Sequence, residues 1–400
     1  MDRPDQGRLR VGVAGMGRGF MLMLPTLRAH PRMSLVAAAD PRPEAQRRFV
    51  DEFGGRAYAS VEALCADPGI DAVYVATPHQ LHAPHAIAAA RAGKHVLVEK
   101  PMSVKLDECD AMIEAARDAG VQLIVGPSHS FDAPILRARA LVASGRHGAV
   151  RMITALNYTD FMYRPRRPEE LDSAQGGGVV FSQGAHQVDI VRLLGGGMVH
   201  SVRAATGAWD PARPTEGAYN AFFTFADGAF ASLTYSGYAH FDSDEFCGWV
   251  GEMGHRKDPA RHGAARALLR QARSAAAEAS LKNARAYGAA GAPEEAPVAH
   301  NHFGLVLVSC ERADLRPIPT GVMIYGDDDQ QLEAVEPPGV PRREAIDELC
   351  DAVAGTRKPV HTGEWARATL EACVAILQSA REGREIVLKR QVEAGGGIPC

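Results

Sequence analysis

Long apolar runs are missing from this 400-residue chain. No stretch approaches the roughly 18–20 residues that a membrane-spanning helix needs, so no membrane partner is expected. Basic charge is missing as well. Lys and Arg total 44 against 48 Asp and Glu, a formal net charge of -4 that leaves no electrostatic footprint for nucleic acid. A local arginine cluster could still hold an acidic small molecule. Cysteine is sparse and scattered, at Cys65, Cys109, Cys247, Cys310, Cys350, Cys373 and Cys400. Without C-x-x-C or a His/Cys ligand spacing, no metal is expected, and the odd, dispersed set reads as reduced thiols in a cytoplasmic protein. The amino end, "MDRPDQGRLR", lacks the apolar core of a signal peptide, which points the same way.

What is present is the composition of an ordinary globular protein, 46% apolar and 23% charged, at a length that suggests two domains. From Leu9 to Pro127 short β-branched runs alternate strictly with helical stretches: "LRVGVAG", "MSLVAAAD", "IDAVYVATP", "HVLVEKP" and "VQLIVGP" are the expected strands. Such alternation predicts an α/β fold, with a doubly wound parallel sheet over residues 1–126, because right-handed crossovers permit little else. Residues 127–400 then read as an α+β domain on an open, mostly antiparallel sheet. Within it, 255–300 turns rich in Ala, Arg and Lys and is expected to be a surface insertion, a solvated helix without chemistry. Residues 342–390 read as two helices that return toward the first domain.

The first strand ends in "GVAGMGRGF". A dinucleotide turn needs one glycine for the tight bend and another where the backbone meets pyrophosphate, roles that fit Gly15 and Gly17. The third glycine position of G-x-G-x-x-G is Phe20, with Gly19 beside it. Asp40, at the end of the second strand, is placed to bond a ribose 2′-hydroxyl, which favours NAD; Arg42 leaves NADP open. Ligands of such sheets lie beyond the carboxyl ends of the strands. The cofactor set is therefore Gly15, Gly17, Arg18, Gly19, Phe20, Asp40, Arg42, Thr77, Pro78, His82, Glu99 and Lys100.

Lys100 would project into the nicotinamide cleft and take a hydroxyl proton as hydride leaves the same carbon. The competing reading is a surface lysine paired with Glu99. In "SQGAHQVD", His186 and Asp189 share a helix face; His186 could relay the proton or bond the substrate, with Asp189 orienting its ring. A core histidine satisfied by a helix neighbour explains the pattern equally well. His79 and His129, at strand ends, are assigned to the substrate, as is Ser182. Arg164, Arg166 and Arg167 could grip a carboxylate, against the alternative of a solvated loop paired with Glu169 and Glu170.

With these residues in place, the chain resembles the glucose–fructose oxidoreductase/inositol dehydrogenase (Gfo/Idh/MocA) family. The resemblance rests on the glycine turn, "VATPHQLHAPHAIAAARAGKHVLVEKP" and "GGGVVFSQGAHQVDIVRLLGG". It implies a Rossmann domain, NAD(P)-linked hydride transfer, a catalytic lysine at Lys100 and histidine at His186, and homodimers or homotetramers formed through the second sheet. Two departures stand out: sugar dehydrogenases of the family usually carry Asp where this chain has Ser182, and Asn where it has His79. Further stretches, "GRGFMLMLPTL", "SGYAHFDSDEF" and "VSCERADLRPIPTGVMIYGD", resemble the branch of phthalate-degradation dehydrogenases. That likeness implies oxidation of cis-4,5-dihydro-4,5-dihydroxyphthalate to 4,5-dihydroxyphthalate in aromatic-compound degradation. A sugar, inositol or related polyol dehydrogenase is the alternative, and a non-catalytic NAD-binding regulator is a second.

Overall fold

A computed structural model describes residues 7–288 and 297–395. Cys400 and residues 289–296 of the expected insertion lie outside the described residues. The described chain forms two compact units, one of residues 7–127, 281–288 and 339–367, the other of residues 128–280, 297–338 and 368–395.

The first unit carries six parallel strands: β1 (Leu9–Ala14), β2 (Met33–Ala39), β3 (Arg56–Tyr58), β4 (Ala72–Val75), β5 (His95–Val98) and β6 (Leu123–Val125). Their order in space is β3-β2-β1-β4-β5-β6, so the chain reverses direction of winding between β1 and β4. Ligands bind at such a switch point. The central strands are mostly apolar, with β4 buried at all four positions, as a sheet covered on both faces requires. β3 is absent from the sequence reading because three residues, Arg-Ala-Tyr, carry no periodicity. Helix α1 (Arg18–Ala29) starts directly after the glycine turn, and α2 (Pro43–Phe53) follows Asp40 with proline in its first turn, where the missing N–H costs nothing.

The second unit is built on a nine-stranded mixed sheet, antiparallel except where Phe230–Ser236 runs parallel to Val150–Tyr158. Against it lies the fully buried helix α3 (Ala185–Leu194). Its amino end is not a plain helix start: Val180–Gly184 forms a π-helical turn. Such turns insert one extra residue and re-aim the side chains that follow, and Ser182 sits in this one. The expected insertion is two short helices, α4 (Ala264–Leu269) and α5 (Ala275–Asn283), followed by a segment that joins the first unit. No described helix is long and apolar enough to cross a membrane.

Candidate active site

Gly15 adopts φ +89°, and a Cβ there would stand 2.9 Å from the Ala76 carbonyl oxygen, so only glycine fits. At Gly17 nothing lies within 4 Å of a Cβ: the backbone borders open space. A Cβ on Gly19 would crowd Glu99 Oε1 at 3.2 Å. Phe20, which breaks the glycine pattern, is fully buried and turned onto Tyr287, its ring edge-on at 5.2 Å. The turn is thereby left to Gly17, Arg18 and Gly19, all partly exposed. Asp40 accepts the Met16 N–H at 2.8 Å and is gripped by Arg42 through Nε (2.8 Å) and Nη2 (2.9 Å). Burial would raise the Asp40 carboxyl, but the hydrogen bonds from Arg42 and Met16 hold it below the usual range. An open glycine turn at a helix start, with a charged carboxylate at the end of β2, fits the pyrophosphate and adenosine ribose of a nicotinamide dinucleotide.

The ends of β4 and β5 are tied together. His82, fully buried, places Nδ1 2.9 Å from the Pro101 carbonyl and Nε2 2.8 Å from that of Thr77. Burial pushes its pKa down to about 4, the two carbonyls pull the other way, and the charge of Lys100 adds to the fall. His79 packs against this ring at 5.6 Å; Pro78 is exposed and Thr77 half-buried. The Thr77 hydroxyl lies 3.0 Å from His85 Nδ1. Lys100 is half-buried, and a cis peptide joins it to Pro101. Burial raises the Glu99 carboxyl above its ordinary range, against the Lys100 charge and a hydrogen bond from the Tyr74 hydroxyl. Glu99 and Lys100 are therefore unequal neighbours: Glu99 faces Tyr74, and Lys100 acts electrostatically on both Glu99 and His82.

In the second unit, His186 is buried and takes contacts at Nδ1 from the Ser128 hydroxyl and the His129 N–H, each at 3.3 Å. A backbone N–H can only donate, so Nδ1 is the acceptor and Nε2 carries the proton. His129 stands edge-on to this ring at 4.7 Å. Its own Nδ1 meets Asp132 at 2.6 Å and its Nε2 meets Glu252 at 3.4 Å. Burial would lower the His129 pKa, but the charge and hydrogen bond of Asp132, then those of Glu252, lift it above the ordinary value. Asp189 accepts from Thr369 Oγ1 at 2.9 Å and from the Ser130 hydroxyl.

The three arginines separate. Arg164 pairs with Asp160 at 3.1 Å and Glu252 at 3.8 Å. Arg166 is buried, stacked 3.5 Å over the Phe161 ring, and donates to the Phe161 carbonyl at 2.8 Å, while burial pushes its pKa down to about 10. Arg167 pairs with Glu169 at 2.8 Å on the loop. Asp132, Glu252 and Tyr287 escaped the sequence reading. Asp132 directly precedes the helix Ala133–Ala143, but nothing local marks Glu252 or Tyr287. The insertion also carries more than the solvated helix expected of it. Glu278 of α5 accepts from Arg213 Nη1 and from the Arg166 N–H, both at 2.7 Å, and so holds the arginine loop.

Residues 9–127 match the model of an oxidoreductase family with an NAD-binding Rossmann fold, GFO_IDH_MocA, and residues 135–255 match the GFO/IDH/MocA C-terminal domain. The chain is 49% identical over 378 residues to 1-carboxy-3-chloro-3,4-dihydroxycyclo hexa-1,5-diene dehydrogenase of Comamonas testosteroni, covering 93% of this chain and 95% of that one. Myo-inositol 2-dehydrogenase of Thermotoga maritima is 31% identical over 49% of this chain and 58% of its own. Among solved structures, a Bordetella bronchiseptica RB50 protein superposes with a TM-score of 0.91 at 42% identity, covering 95% of this chain and all (100%) of that one.

Proposed function

Because the chain belongs to the GFO/IDH/MocA family of NAD(P)-dependent oxidoreductases, we propose that it oxidises a carboxylated cyclohexadiene cis-diol, cis-4,5-dihydro-4,5-dihydroxyphthalate, to 4,5-dihydroxyphthalate with NAD as the acceptor. The observation that carries this reading is the identity, 49% over nearly the whole length, to a relative named for a carboxylated dihydroxycyclohexadiene. Buried Arg166 supports it: burial disfavours its charge, and a carboxylated ring would add a counter-charge.

The nicotinamide ring, when bound, supplies the hydride acceptor. In the first unit, Lys100 takes the proton of the hydroxyl whose carbon loses hydride. In the second, His186 presents Nε2–H to a substrate oxygen, its tautomer set by the N–H of His129. The resulting hydroxyketone tautomerises: the neighbouring carbinol carbon gives up its proton, the ketone oxygen takes one up, and the ring becomes the aromatic diol. Diol and NAD thus yield dihydroxyarene, NADH and one proton. Aromatisation drives the sequence forward, so a carboxylate at position 182 is not required. The relative's own substrate, a chlorinated monocarboxylate diol, is the second reading, favoured by the same identity.

One face of the nine-stranded sheet leaves Met152, Phe222, Phe230 and Leu332 exposed, with the rings of Phe222 and Phe230 5.6 Å apart. On this reading that face joins copies of the chain into dimers or tetramers.

The test is NADH formation from a panel of the phthalate diol, the chlorinated diol, myo-inositol and glucose. Turnover is expected with the carboxylated diols alone, lost in Lys100→Ala while NADH binding persists. Oxidation of inositol or glucose with neither diol would overturn the substrate, and a near-normal rate in Lys100→Ala would remove that residue from the chemistry.

A further inference from the structure

The family models match residues 9–127 and 135–255, so Tyr287 lies outside both. It nevertheless belongs to the first unit and is 1% exposed. Its ring meets Phe20 edge-on at 5.2 Å and carries the Arg48 guanidinium 4.8 Å from its centroid. Its hydroxyl donates to Glu52 of α2 at 2.8 Å. The backbone of the same residue reaches the nucleotide turn: its N–H donates to the Met16 carbonyl at 3.2 Å, and its carbonyl accepts from Arg42 Nη1 at 3.1 Å. Met16 stands between Gly15 and Gly17, and its carbonyl also accepts from Arg42 Nη2 at 2.9 Å. Segment 281–288, the glycine turn and the Asp40–Arg42 pair form one hydrogen-bonded cluster.

This arrangement leaves the arginine little to offer. All three side-chain nitrogens of Arg42 donate: Nε and Nη2 to Asp40, Nη2 also to Met16, and Nη1 to Tyr287. The two oxygens of Asp40 accept four hydrogen bonds, two from the Arg42 side chain, one from its N–H and one from that of Met16. Where the adenosine ribose meets the end of β2, the chain presents a closed ion pair. A 2′-phosphate needs a guanidinium fork turned toward it, and this fork is turned away.

We propose that Tyr287 is a positioning residue of the dinucleotide site: its seated ring keeps Arg42 folded onto Asp40 and away from a 2′-phosphate, so that the chain selects NAD over NADP. The inference rests on the cofactor class of the family and not on the identity of the alcohol substrate, so it survives a failure of the diol reading.

The experiment measures dissociation constants of NADH and NADPH by nicotinamide fluorescence on the full chain without substrate. Wild type, Tyr287→Ala and the milder Tyr287→Leu are compared. The wild type is expected to bind NADH more tightly. Tyr287→Ala should lower the ratio of the NADPH to the NADH constant at least fivefold, Tyr287→Leu by a smaller factor, and adding Arg42→Ala should cancel the gain. Should Tyr287→Ala fail to fold, the leucine variant decides by the same criterion. An equal change in both constants, no change in either, or a gain that survives Arg42→Ala would overturn the proposal.

Discussion

Acidification is expected to loosen the strand-end platform through His82. This imidazole is fully buried, and burial lowers its pKa from 6.5 to about 4. The unfolded chain therefore takes up a proton before the folded one does. The stabilising effect of keeping the ring neutral is present above about pH 6.5 and is lost as pH falls toward 4. Such a displacement is worth about 3 kcal/mol in full, of which about 2 kcal/mol disappears between pH 7 and pH 5. With no exposure of the side chain, solvent screening does not reduce the figure. The ring joins the carbonyls of Thr77 and Pro101, so the loss should be felt next to Lys100. Urea unfolding of wild type and His82→Gln at pH 7 and pH 5 measures it, since every other titrating group is common to both. Wild type should lose about 2 kcal/mol more than the variant on acidification. The reasoning fails if both lose the same amount. It also fails if wild type gains on the variant, because the two carbonyls would then be holding an imidazolium.

Gly15→Ala should abolish NADH binding and cost about 1–3 kcal/mol of stability, since the new Cβ meets the Ala76 carbonyl at 2.9 Å in a left-handed backbone; calorimetry with NADH reads both, and retained affinity would contradict the turn assignment. Glu252→Gln removes one of the two acids that raise His129. A raised pKa stabilises fully below about 6.5 and ceases to do so as pH rises through its folded value, so the variant should be destabilised by about 1–3 kcal/mol at pH 6 and by less at pH 9. A pH-independent loss in chemical denaturation would count against a charged His129. Phe222→Asp, on the exposed sheet face, should lower the sedimenting mass without changing the fold; an unchanged mass would put the subunit contact elsewhere.

Much of the first unit was legible because its determinants are local. β4 is a continuous apolar run and β5 is one from Val96 onward, Gly15 needs a conformation that few other residues adopt, and Asp40 closes a strand at a readable distance from the turn. The buried pairing of Arg42 with Asp40 was not legible, because whether an arginine two residues away turns inward or outward depends on what covers it. The arginine loop shows the same limit. One spacing pattern holds a buried Arg166 over Phe161, an Arg164 between two acids, and an Arg167 on surface glutamates.

The sequence alone determined five of the six parallel strands, the glycine turn after the first, and the residues at the strand ends, because hydrophobic period and glycine chemistry act between near neighbours. Tertiary structure alone decided that Glu252 reaches His129, that Ser128 and the His129 backbone set the proton on His186, and that Tyr287 comes back to the turn at Met16. Those partners are between 57 and 271 positions apart along the chain or come from a segment without apolar period. Burial and charge select such contacts only after the chain has folded.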